Sequence, residues 1–155
     1  MTTLNEYRRI IGYSYLLYVV VIIPVSLLHE LGHTVVCSAA GYQSRIWLDF
    51  MGGHSICYGI FSNNSVLAAM GGIFGLVASL GILALWYFFS KRMMALAVIG
   101  LALALDQGLK IILEVFLQRF YSAGMFDLLI TTLQIISVPL FAIYLARKKR
   151  VVVIK

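Results

Sequence analysis

Hydrophobic and polar positions divide this chain into four long apolar runs separated by short polar breaks. Residues 10–40 form the first, and within 10–44 Glu30 is the only formally charged side chain. Residues 66–90 carry no charge. Residues 93–118 carry Asp106, Lys110 and Glu114, spaced one helical turn apart. Residues 125–146 carry Asp127 near their start and Pro139 near their end. A transmembrane helix needs ~20 apolar residues, so each run is long enough to span a bilayer. The first is longer than that and is expected to tilt, with a kink at Pro24. Gly41 should end it. Residues 44–50 and 55–61 are β-prone runs joined by Met51-Gly52-Gly53-His54, which predicts a hairpin over 44–61. The hairpin is apolar enough to dip into the membrane or pack on the bundle. The expected fold is an all-α membrane protein, one domain over 1–155, with about four transmembrane helices and a short membrane-associated β-hairpin after the first. Gly71, Gly75 and Ser79 recur every four residues and are read as a close-packing stripe.

Composition strengthens this reading. Hydrophobic residues make up 62% and charged residues 12%, with a mean hydropathy of +0.98, far more apolar than a water-soluble domain. The net charge of +6 looks like a nucleic-acid signal, but its distribution argues against that partner. Arg8-Arg9, Lys91-Arg92 and Arg147-Lys148-Lys149-Arg150 all border apolar runs, as membrane flanks do. With four spans these clusters share one side, and Arg45 and Arg119 face the other. The positive-inside rule then puts both termini in the cytoplasm of a multi-pass cell-membrane protein surrounded by lipid. The apolar stretch near the start is too long for a cleavable signal and is read as a retained span. Cys37 and Cys57 show no CxxC spacing and are read as small apolar fillers.

The chemistry concentrates at His29-Glu30-Leu31-Gly32-His33. On a helix His29 and His33 lie one turn apart on one face, so two imidazoles can grip one metal ion. Glu30 beside them can take a proton from metal-bound water. Ser26, Glu30, His33 and Cys37 form a stripe that should face the bundle interior, because ionisable groups facing lipid are costly. Neutral imidazoles point to zinc, one ion per chain, with a third protein ligand and an open position for water. Candidates for the third ligand are Asp127, Asp106, His54, Cys37 and Asp49. Cys37 lies eight residues beyond His29 on one helix, about 12 Å of rise, and is too far to join both histidines on one ion. Asp106 has Lys110 one turn away as an ion-pair partner. Asp127 is preferred on membrane depth, with Asp106 the alternative.

The pattern resembles the site-2 protease family of intramembrane zinc metalloproteases. The resemblance rests on His29-Glu30-Leu31-Gly32-His33, the Gly-containing hairpin after it, and Ala68-Ala69-Met70-Gly71-Gly72, which stands where that family often has Ala-Ala-Gly-Pro. It spans roughly residues 10–130. The family's third ligand lies in a Leu-Asp-Gly element, commonly after an Asn-x-x-Pro break. This chain has neither. Leu105-Asp106-Gln107-Gly108 is nearest in letters and Ala123-Gly124-Met125-Phe126-Asp127 nearest in spacing. The charge count also places the site end of the first helix opposite the cytoplasm, whereas the family generally places its site nearer the cytoplasmic face.

The resemblance implies a zinc endopeptidase that cuts transmembrane segments of other membrane proteins, with Glu30 as general base and His29, His33 and Asp127 on zinc. Gly52, Gly53, His54 and Asn64, in and beside the hairpin, are the candidate substrate contacts. The rival expectation is a non-proteolytic metal-binding scaffold or ion transporter, suggested by the Asp106, Lys110, Glu114 ladder.

Overall fold

The computed structural model describes residues 4–49, 52–59, 65–89, 93–117 and 126–153, without the side chains of 127, 128 and 149–153. Helix α1 runs from Leu4 to Ala39. It begins ahead of the apolar run, with Glu6 in its first turn, where a carboxylate complements the helix dipole. At 36 residues it is about 54 Å long, well beyond a ~30 Å hydrocarbon core. The helix continues through Pro24, whose missing N–H leaves the Val20 carbonyl without its usual donor. Gly41, at φ +82°, stops it. The Tyr42 N–H reaches back to the Cys37 carbonyl at 3.1 Å and the Gly41 N–H to the Ser38 carbonyl at 3.0 Å. This is a Schellman cap, which needs a left-handed residue at that position and so favours glycine.

The chain then turns into strand β1, Ser44–Asp49, which pairs antiparallel with β2, Gly52–Cys57. The register sets Ser44 opposite Cys57, Trp47 opposite His54 and Asp49 opposite Gly52. The hairpin is present, but its second strand starts earlier than expected. Gly52, Gly53 and His54 were expected in the connection and instead belong to the strand, and residues 60 and 61 lie outside the described residues. The Trp47 and His54 rings stack across the strands, centroids 5.3 Å apart, which helps hold this register.

Reading the cysteines as fillers needs correction. Cys37 and Cys57 form a disulfide, with Cα atoms 5.7 Å apart. The Schellman turn and the hairpin return bring together two residues 20 apart in sequence. The bond ties the end of β2 to the end of α1.

Among the described residues three more helices follow: α2, Ser65–Phe89; α3, Met94–Phe116; and α4, Asp127–Val153. All four helices contain a segment long and apolar enough to cross a membrane. The span in α3 is 44% buried against 11% in α1, so α3 is the central helix and α1 is largely exposed along its apolar length. Val25 of α1, Val98, Ile99, Ala102 and Leu103 of α3, and Val138 and Ala142 of α4 make the core. Small residues let α2 approach its neighbours. A Cβ at Gly72 would strike Ile111 of α3, and one at Gly32 would strike the Met70 carbonyl of α2.

Replacing Cys37 and Cys57 together by serine is expected to lower stability by about 3 kcal/mol, the chain-entropy value for a loop of roughly this length. A thermal melt in detergent, compared with the parent protein, measures this.

Candidate metal centre

Helical spacing and close packing together build the site. His29 and His33 project one turn apart from α1 towards α2 and α3. Gly71 of α2 leaves the space they occupy. A Cβ there would lie 2.8 Å from His29 Nε2 and still nearer His33 Nε2. The packing stripe read from the sequence therefore also shapes the site, since Gly75 one turn on leaves room for the Gln107 side chain.

Each imidazole is oriented by a hydrogen bond at Nδ1. His29 Nδ1 lies 2.8 Å from Gln107 Oε1, and His33 Nδ1 lies 2.7 Å from the Leu67 carbonyl oxygen. Both partners are oxygens that only accept, so each Nδ1 carries a proton, and in the neutral ring each Nε2 presents a lone pair. The Gln107 amide is itself held. Its Nε2 donates to Asp106 Oδ2 at 2.8 Å, which turns its oxygen towards His29. Lys110 Nζ lies 3.3 Å from the same Asp106 oxygen.

The two Nε2 atoms are 3.3 Å apart. Glu114 of α3 completes the group, with Oε1 3.1 Å from His29 Nε2 and Oε2 3.9 Å from His33 Nε2. Glu114 is 5% exposed, and its Oε2 has no hydrogen-bond partner. Two imidazole Nε2 atoms and a carboxylate thus converge in a buried place, an arrangement that a proton on His29 or a metal ion between the three groups would satisfy. His29, His33 and Glu114 are the one group of three such residues among those described that could hold a metal ion.

Glu30 is buried next to these ligands, and its carboxylate faces the hairpin. Ser55 Oγ donates to Glu30 Oε2 at 2.6 Å, and a Cβ at Gly53 would lie 2.8 Å from Glu30 Cγ. A cavity of about 770 Å³ opens here, bordered by His29, Glu30, His33 and Glu114, by β2 and by Lys110.

The carboxylate found beside the histidines is one that the sequence candidates did not include. Glu114 stands beside the histidines, while the Asp106 carboxylate turns to Gln107 and Lys110 and supports His29 indirectly. His54 Nε2 pairs with Asp49 Oδ1 at 3.0 Å within the hairpin, so neither residue joins the group. Cys37 is in the disulfide. The Asp127 side chain and Asn64 lie outside the described residues. Gly52, Gly53 and His54 border the cavity. Glu114 was legible only as the last rung of a charged ladder. The available signal was that Lys110 can neutralise one carboxylate, and Asp106 and Glu114 are both within its reach along the helix. Comparison of the chain with protein-family models, curated proteins and solved structures returns no match.

Glu114→Ala is expected to abolish metal retention through purification, while Asp127→Ala retains it, with elemental analysis as the measurement. Gly71→Ala should weaken binding at least about tenfold by crowding both imidazoles, the low end of what disturbing the surroundings of metal ligands costs.

Proposed function

We propose that the protein is an intramembrane zinc metalloendopeptidase that cleaves transmembrane segments of other membrane proteins. The observation that carries this reading is the convergence of two imidazole Nε2 atoms and a carboxylate beside a glutamate on a common cavity. Tetrahedral zinc, with Zn–N bonds of ~2.0–2.1 Å, sets neighbouring ligand atoms about 3.3 Å apart. The spacings here are 3.3 Å between the nitrogens, 3.1 Å from His29 to Glu114 and 3.9 Å from His33 to Glu114. Two histidines and one glutamate also form an established ligand set for catalytic zinc, which leaves one position open. The site-2 protease resemblance points the same way, with Glu114 in place of the expected aspartate.

When bound, zinc supplies an acidic water and polarises a carbonyl. The protein's residues supply the rest. Gln107 and Leu67 keep the imidazole lone pairs aimed at the ion. Glu30 accepts the proton of the attacking water and passes it to the departing amine. Ser55 holds one oxygen of that carboxylate in place. The substrate must be unwound locally, because a helix engages its own carbonyls, and β2 can receive the extended segment by strand addition. The transporter reading weakens because the charged ladder is already engaged, with Asp106 paired to Lys110 and Glu114 beside the histidines.

Sidedness follows from two independent features. Basic clusters flank the spans on the side of the termini. The disulfide lies at the opposite end of α1 and persists only in an oxidising compartment. Both support a reading with the termini in the cytoplasm and the cavity mouth on the far side.

Glu30→Gln is expected to keep about one zinc per chain and to lose cleavage of a model transmembrane substrate by at least ~100-fold, the lower end for a general base. Cleavage at the parent rate would overturn the mechanism. In sealed right-side-out vesicles, a membrane-impermeant maleimide added after mild reduction should label Cys57, the half-buried partner of the disulfide. Labelling only after lysis would reverse the orientation.

A further inference from the structure

The metal centre is braced from behind by groups that its chemistry does not use. Asp106 is 3% exposed, and both contacts described above fall on its Oδ2. Its Oδ1 has no hydrogen-bond partner. On α4, Gln134 is 9% exposed and its Nε2 likewise has none. One orphan is an acceptor and the other a donor, and their residues border the same cavity of about 10 Å³ between α3 and α4. Ser137 borders it too, with its hydroxyl hydrogen committed to the Gln134 carbonyl at 2.8 Å and its lone pairs uncommitted by that bond. Leaving two such groups unsatisfied in an apolar bundle is costly. A space of ~10–15 Å³ with two to four polar partners is what one buried water requires.

We infer that a single internal water joins α3 to α4 here, and that Gln134 acts through it as a positioning residue for the metal centre. The water accepts from Gln134 Nε2 and donates to Asp106 Oδ1 and Ser137 Oγ, three hydrogen bonds in all. Asp106, held at both oxygens, keeps the Gln107 amide turned so that its oxygen faces His29 Nδ1. The His29 lone pair then stays on Nε2, where the ion is bound. Helix α4, none of whose described side chains joins the His29, His33, Glu114 group, thereby tunes the ligand basicity and orientation of His29. Loss of Gln134 frees the Asp106 carboxylate to rotate and releases the amide that orients the imidazole.

The inference rests on the metal-centre reading but not on proteolysis, and it can be tested on the full-length protein in detergent. Affinity is measured by competition of Zn²⁺ with a chromophoric chelator, and geometry by the visible spectrum of the Co²⁺-substituted protein. Gln134→Met keeps side-chain volume and removes the donor. It is expected to weaken binding about tenfold, as loss of an outer hydrogen-bond partner does, and to shift the Co²⁺ bands. Ser137→Ala, which removes one acceptor, should produce a smaller loss in the same direction. A high-resolution structure should show one solvent peak within hydrogen-bonding distance of Asp106 Oδ1 and Gln134 Nε2. Unchanged affinity and spectrum in Gln134→Met, or a cavity without solvent density, overturns the inference. If Gln134→Met does not fold, Ser137→Ala and the solvent peak decide. If the parent protein binds no metal, it is the metal-centre reading that fails, and the solvent peak still tests the water.

Discussion

Three electron-rich atoms meet inside a bundle of apolar helices, and the rest of the structure is arranged to make that meeting tolerable. His29 Nε2, His33 Nε2 and the Glu114 carboxylate would repel one another in a low-dielectric interior without positive charge between them. Two imidazoles at this spacing would more easily turn apart. Gln107 and the Leu67 carbonyl prevent it by holding each ring at its far nitrogen. The geometry is therefore preorganised for a cation, because the anchors of the rings lie outside the converging atoms.

Close backbone approach makes this possible. Gly32 against Met70 draws α1 to α2, Gly71 leaves space for both imidazoles, and Gly75 leaves space for Gln107. Apolar burial offers little drive between helices in lipid, where tails are as apolar as the side chains, so packing and polar contacts must hold the bundle. Here the small residues that permit packing also admit the polar side chains of the site. Stability and chemistry thus depend on the same positions.

The hairpin supplies what four helices cannot: an extended edge beside the site. It is held at three kinds of contact. The disulfide fixes the end of β2 to α1, the Trp47–His54 stack holds the register, and Ser55 touches Glu30. The general base proposed here therefore lies between a rigid helix and a two-stranded sheet tied to it. The cavity opens beside that sheet, which suits a substrate entering in extended form.

Much of this was legible along the chain. Uncharged runs specify spans because a bilayer penalises every exposed polar group, and His29, Glu30 and His33 share a site because helical spacing alone places them together. Gly41 announced the end of the first helix through its freedom at positive φ. Other features depended on contacts between distant elements. Cys37 and Cys57 meet only because a capped helix and a hairpin return fold back on each other. Glu114 and Asp106 lie two turns apart on α3, both within reach of Lys110, and nothing local says which one the lysine neutralises. The rotation of α3 against α1 and α2 decides it, turning Glu114 to the histidines and leaving Asp106 to pair with Lys110 and Gln107 of its own helix. Periodicity within a helix is local and can be read from the chain, whereas the facing of one helix towards another is set by packing among all of them.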